Sequence, residues 1–324
     1  MAFTLFTSNK MANIIIKDHA IRYVGVKQTN PITVQKFREK YLPPGVIQEG
    51  RIIERDTLLL ILDECVSEWG IKKNHVQFVI PDPFVVIRKI TIPKEVKDDE
   101  IIGYIYLELG TTIHLPFEEP VLDFKKLSED ETRKEILIFA APEDVANEYS
   151  ALLEEVDLKP VAADITPLCM YRLFHFCGQT KAEEHSLLVQ FDLQSVNFSI
   201  FHRDIPLFMR HITLETSIDD WDIQQNQSST LADIRWNSHS SKLEVLMDEL
   251  MKEIEHVMNF YSFNMTQGKD RVTTILMSGD HPYLTDITST LNQRYEIQVH
   301  TITQFEQLPD HYYLPLGLAL KEVQ

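Results

Sequence analysis

Leu187-Leu188-Val189-Gln190-Phe191-Asp192-Leu193-Gln194-Ser195-Val196-Asn197-Phe198-Ser199-Ile200-Phe201 is the stretch on which the fold turns. Leu187 to Phe191 is an apolar, β-prone run broken only by Gln190, as a buried strand requires. Asp192 stands at its end. After a tight turn, Phe198 and Ile200 alternate with Asn197 and Ser199, the period of a return strand. Taken alone this is two core strands joined by an acidic turn. A hairpin of this shape can also hold a metal-bound phosphate, with turn amides and a carboxylate-bound cation offsetting the charge. That use favours glycine in the turn, where backbone must approach the phosphate, and here the turn carries Gln194.

A second hairpin of the same kind precedes it. Ile14-Ile15-Ile16 and residues 21–26 read as strands joined by Lys17-Asp18-His19-Ala20, again without glycine. A third strand end, Leu276-Met277-Ser278-Gly279-Asp280, runs towards a helix over 283–295. Two hairpin turns and a strand–Ser-Gly–helix junction form the layout of an actin-type nucleotide cleft.

The composition narrows the function. The 324 residues suit two medium domains or one domain with an insertion. The net charge of −18 argues against nucleic acid and against direct docking on anionic lipid. It leaves room for a basic partner segment. Only 10 glycines occur, about 3% against a usual level of about 7%, which is few for a phosphate-wrapping protein. Cys65, Cys169 and Cys177 form no framework and read as reduced thiols of a cytosolic protein. The scattered histidines give no metal-ligand spacing. No apolar run is long enough to span a membrane, and the first ten residues lack the pattern of a signal peptide.

Between the hairpins, Gly50 marks a tight turn, and a helix capped by Asp56 runs through Trp69 to a stop at Gly70. Residues 95–109 read as a helix that is apolar nearly all round. Residues 142–156 read as an amphipathic helix with Val145, Tyr149, Leu152, Leu153 and Val156 on one stripe. Residues 217–241 read as a polar connection, and 242–263 as the longest helix. No internal repeat is visible.

Several short motifs recur in one order along residues 13–320. They are Leu42-Pro43-Pro44-Gly45-Val46-Ile47 followed by Gly50, and Ile113-His114-Leu115-Pro116-Phe117 running into Val121-Leu122-Asp123-Phe124. Ala140-Ala141-Pro142 and Leu158-Lys159-Pro160-Val161 before Asp164 follow, then Leu276-Met277-Ser278-Gly279 and Leu316-Gly317-Leu318-Ala319. In this set the chain resembles the PilM family, actin-like cytoplasmic proteins of type IV pilus assembly related to FtsA. The resemblance implies an α/β, actin-like (RNase H-like) two-lobed fold with an inserted α+β subdomain. Residues 1–78 plus 164–178 would form the first lobe, 79–163 the insertion and 179–324 the second lobe.

The departures from the family are as informative. Ile15 stands where the family has a metal-side aspartate, Lys17 and Gln194 where it has glycine, and Asp280 where a further glycine is usual. A carboxylate facing nucleotide phosphates disfavours them. Weak or absent Mg-ATP binding is therefore expected, with no metal and no catalytic residue. Any nucleotide contacts would fall on Lys17, Asp18, Asp192, Ser195, Ser278 and Gly279. The resemblance also implies a partner, the short cytoplasmic tail of a PilN-type inner-membrane protein, beside other pilus assembly proteins. That tail would place the chain at the inner face of the cell membrane without inserting it. A groove between helix 95–109 and strand 84–92 is the expected site, with Phe84, Val86, Ile101, Tyr104 and Ile105 as contacts. An ATP-binding member whose nucleotide cycle regulates assembly is the alternative. A sugar or acetate kinase of the same superfold fits least, because it needs intact phosphate loops and a placed base.

Overall fold

The computed structural model describes residues 11–225, 232–305 and 307–322. The chain opens with β1 (Met11–Ile16), β2 (Ala20–Thr29) and β3 (Ile32–Tyr41), an antiparallel meander. The all-apolar run of Ile14, Ile15 and Ile16 is buried because both faces of β1 are covered. The small hairpin β4 (Ile47–Gln48) and β5 (Arg51–Ile52) turns at Glu49 and Gly50, both at positive φ (48° and 74°). Such a two-residue turn matches the twist of its strands. Helix α1 (Arg55–Trp69) ends at Gly70 in the left-handed region, as its sequence predicts. Asp56 lies in its first turn and is not the cap, which falls on Glu54. The crossover delivers β6 (His75–Val79) parallel to β1.

The insertion follows. Strand β7 (Val86–Pro93), helix α2 (Ile101–Glu108), β8 (Pro120–Glu129) and β9 (Arg133–Pro142) form an antiparallel sheet, ordered β7-β9-β8, with α2 on one face. The expected helix over 95–109 is shorter. Its first turns are pinned to the sheet instead, where Lys134 Nζ donates to the Val96 carbonyl and to Asp98, both at 2.7 Å. Helix α3 (Glu143–Glu155) and β10 (Lys159–Asp164) complete the first sheet, ordered β10-β6-β1-β2-β3. The expected boundary at residue 163 is thus corrected. The three-stranded insertion ends at Pro142, because α3 packs on the first core and β10 pairs with β6.

After α4 (Thr166–Phe176) come β11 (His185–Phe191), β12 (Ser195–His202) and β13 (Ile205–Thr213), again an antiparallel meander. The stretch 217–241, expected as a polar connection, contains the hairpin β14 (Trp221–Gln225) and β15 (Ala232–Trp236), with Trp221 opposite Trp236. Helix α5 (Ser240–Asn259), β16 (Thr274–Ser278), α6 (Leu284–Arg294), β17 (Gln298–His300) and α7 (Tyr313–Leu318) end the described chain. The second sheet is ordered β13-β12-β11-β16-β17, with β16 and β17 parallel to β11. It repeats the topology of the first sheet: a meander, then two parallel crossovers.

Five layers result. Helices α1 and α3 cover one face of the first sheet, and α5 and α6 cover the far face of the second. Helices α4 and α7 fill the layer between the sheets, packing on Ile15 and Val24 from one side and Leu188, Phe201 and Leu276 from the other. The expected lobe boundary is corrected here too, since α7 returns from the second sheet to pack on α4. The approach is close: a Cβ on Gly317 would lie 2.2 Å from the Cys169 carbonyl oxygen.

Candidate functional site

The turns after β1 and β11 have the same backbone closure. Lys17 N–H donates to the Ala20 carbonyl and Asp192 N–H to the Ser195 carbonyl, both at 2.9 Å. The turn after β16 meets the second of them. Leu193 N–H donates to Asp280 Oδ1 at 2.8 Å, and His281 N–H to the Phe191 carbonyl at 3.2 Å. Gly279, at φ 135°, allows this approach, because a Cβ there would lie 1.8 Å from the Phe191 carbonyl oxygen.

Where the three turns converge, charged side chains from both sheets meet out of water. Lys17 Nζ lies 2.6 Å from Asp192 Oδ2 and 3.9 Å from Asp280 Oδ2. Arg22, on β2, pairs with Asp280 and donates through Nε to Glu39 of β3 at 2.5 Å. His19 Nε2 is 2.9 Å from the same Asp280 oxygen. Burial alone would raise the Asp280 pKa, but Lys17, Arg22 and His19 outweigh it and hold the carboxyl well below the usual range. Burial raises Asp192, against the opposing pull of Lys17.

A cavity of about 480 Å³ opens beside this cluster, lined in part by Lys17, Asp82, Thr166, Asp192, Ser195 and His211. One wall is a hydrogen-bonded chain. Asn197 Nδ2 donates to Asp82 Oδ2 at 2.8 Å, and His211 Nδ1 lies 2.7 Å from Asn197 Oδ1. Burial pushes His211 down to about 4, so its ring is neutral. The Asn197 oxygen can only accept, so Nδ1 carries the proton. Burial pushes Asp82 up to about 6, partly countered by hydrogen bonds from Thr166 and Asn197 and by Lys17.

A carboxylate with a raised folded pKa contributes stability that is full below the unfolded value of about 4 and lost as pH rises through about 6. Asp82→Asn keeps the acceptor for Asn197 and removes the buried charge. It should stabilise the protein by about 2 kcal/mol at pH 7.5, a gain that disappears near pH 4. Urea melts of the two proteins across that range check it; an equal difference at both pH values contradicts it.

The residues expected to touch nucleotide are only partly assembled. Lys17, Asp18, Asp192 and Ser195 line the cavity. Asp18 is engaged, accepting from Glu49 N–H at 2.6 Å and Gly50 N–H at 2.9 Å, so it braces the β4–β5 turn. Ser278 is buried in β16, its hydroxyl without a partner among the described residues, and Gly279 is sealed against Phe191. His19, Arg22, Glu39, Asp82, Asn197 and His211 escape the sequence reading. The available signal was an arginine inside the apolar run 20–26, which a buried strand tolerates only with an acidic partner.

The expected partner groove is corrected more sharply. Ile101 and Ile105 are fully buried, packed with Ile92, Ile113, Ile136 and Ile138 in the insertion's core, and Tyr104 packs on them. The space between α2 and β7 is therefore filled. Val86 is half-buried, opposite Ala140 in the sheet. Phe84 is half-buried with the Arg51 guanidinium 4.9 Å above its ring. The apolar groups that α2 does present to solvent are Tyr106 and Leu107, the latter 80% exposed.

A family model described as type IV pilus assembly protein PilM matches residues 14–311. No curated protein matches the sequence. Among solved structures, the chain is similar to the PilM-PilN type IV pilus biogenesis complex, with a TM-score of 0.73 and 20% identity, covering 96% of this chain and 97% of that one. It is also similar to the ethanolamine utilization protein EutJ from Carboxydothermus hydrogenoformans, with a TM-score of 0.54 and 11% identity over 96% of this chain and 89% of the other. These likenesses show an actin-like fold.

Proposed function

The chain belongs to the type IV pilus assembly protein PilM family, and from that premise we propose that it is a non-catalytic, cytoplasmic scaffold that takes the tail of a PilN-type inner-membrane protein without using nucleotide. The observation that carries this reading is the ion cluster at the convergence of the three turns. Lys17 Nζ and Asp192 already satisfy one another at 2.6 Å, and Asp280 stands among Lys17, His19 and Arg22. A triphosphate entering there must separate a buried pair and place its charge near two carboxylates, both unfavourable. Ile15, buried on β1, supplies no ligand for a metal.

The partner is a PilN-type tail because a relative of the same fold is solved as a PilM-PilN complex. A short membrane-protein tail binds as a peptide that orders on contact. The exposed Tyr106 and Leu107 face of α2 offers apolar area for it. Among the described residues no helix is long and apolar enough to cross a membrane, and attachment to the inner membrane is assigned to the partner.

The nucleotide half of the proposal is tested by calorimetric titration of Mg-ATP at physiological salt. No saturable heat is expected up to about 1 mM, the weak end of specific binding. A micromolar Kd would overturn the nucleotide-free reading and support a member whose conformation cycles with ATP.

A further inference from the structure

The polar residues at the turns do more than fill space, because every basic side chain of the cluster belongs to one sheet and its partners at the convergence to the other. Lys17, His19 and Arg22 come from the β1–β2 hairpin, and Asp192 and Asp280 from the ends of β11 and β16. We propose that this cluster is an interlobe latch, an intramolecular substitute for the phosphates and metal that would otherwise bridge the two lobes. The proposal rests on the nucleotide-free reading of the cleft and goes beyond it, assigning what holds the cleft closed.

The geometry favours a latch over isolated surface pairs. The side chains of Arg22, Asp192 and Asp280 are 3% exposed or less, and Lys17, at 16%, is little more. The second lobe's two turns are locked to each other, with Asp280 N–H donating to Asp192 Oδ1 at 3.3 Å and Leu193 N–H to Asp280 Oδ1 at 2.8 Å. The two carboxylates therefore present a preassembled receptor. Gln190 Nε2 donates to Asp192 at 2.8 Å, and Glu39 holds the far edge of the Arg22 guanidinium. Removing one partner of a buried pair leaves an uncompensated charge that draws in water, whereas removing both leaves none. The Asn197–Asp82 hydrogen bond is a second tie across the same cleft, so losing the latch should loosen the turns without unfolding the chain.

Hydrogen exchange read by mass spectrometry tests this on the full chain. Lys17→Met should raise exchange of the turns around residues 16–22, 190–195 and 278–283 by about 100-fold. The centres of β6 and β16 should be unchanged, and small-angle scattering should report a larger radius of gyration. Lys17→Asp combined with Asp192→Lys, which reverses the pair and restores the attraction, should return the turns to wild-type exchange. If Lys17→Met alone fails to fold, the double variant still decides: wild-type behaviour supports the latch, and failure to fold overturns it. Wild-type exchange in the single variant overturns it, and so does persistent opening in the double variant. Mg-ATP should leave the wild-type turns unprotected beyond their starting level; added protection overturns the substitute role. A latch that fails these tests leaves the calorimetric result intact, so failure of the latch and of the nucleotide-free reading are separable.

Discussion

Ile105→Glu will unfold the insertion and leave the rest of the molecule folded. Ile105 has no solvent exposure and lies against Ile92, Ile101, Ile113, Ile136 and Ile138. The substitution removes a buried side chain and asks a carboxylate to sit in a site with no cation among those neighbours. The combined loss is about 4 kcal/mol or more. Helix α2 spans only eight residues, too few to persist without its packing. The other three cores contain none of these six isoleucines. Limited proteolysis should therefore cut within residues 95–132 while the two five-stranded sheets stay protected. Resistance of that segment equal to wild type would contradict the burial of Ile105. A loss of partner capture in this variant would reflect unfolding and could not map the site.

Leu107→Glu is the informative counterpart, with an expected loss of tail capture of about 100-fold and no change in the melt. Two residues along the same helix, Leu107 is 80% exposed, so a carboxylate there remains in water and costs the fold little. If the tail buries this leucine, the complex loses an apolar anchor and traps a charge, and such central contacts dominate binding energy. Tyr106 is the flanking group, its hydroxyl donating to the Pro120 carbonyl at 3.0 Å, which fixes the ring over the start of β8. A pull-down with the partner's N-terminal peptide, read beside circular dichroism, makes the comparison. Capture that survives Leu107→Glu moves the docking face away from α2.

What could be read from the chain follows the range of the interactions involved. The two hairpins, the Gly50 turn and the Gly70 stop are local, set by alternation and backbone freedom a few residues apart, and they stand where expected. The ion cluster is not local. Arg22 meets Asp280 across 258 residues, and nothing near either one announces the other. Periodicity marks α2 as apolar all round but cannot tell which side the three-stranded sheet covers, so it points to a groove at Ile101 and Ile105, which form a core. The expected start of the same helix is too early because the tie of Asp98 to Lys134 is also long-range. The hairpin β14–β15 was hidden by its polar residues, although Trp221 and Ile223 opposite Trp236 and Ile234 carry the strand period. The packing of helix α7 on the first lobe is not legible either, because its partner, Cys169 on α4, lies some 150 positions earlier and is reached through Gly317.

The most direct test is a binding titration of the PilN-type N-terminal peptide onto nucleotide-stripped protein, repeated with saturating Mg-ATP. A latched, nucleotide-free scaffold binds the peptide in both, with Kd values equal within about twofold, because a ligand without preference between states shifts nothing. Binding that appears only with Mg-ATP, or tightens by about tenfold or more, would contradict it and place nucleotide at the centre of this protein's work.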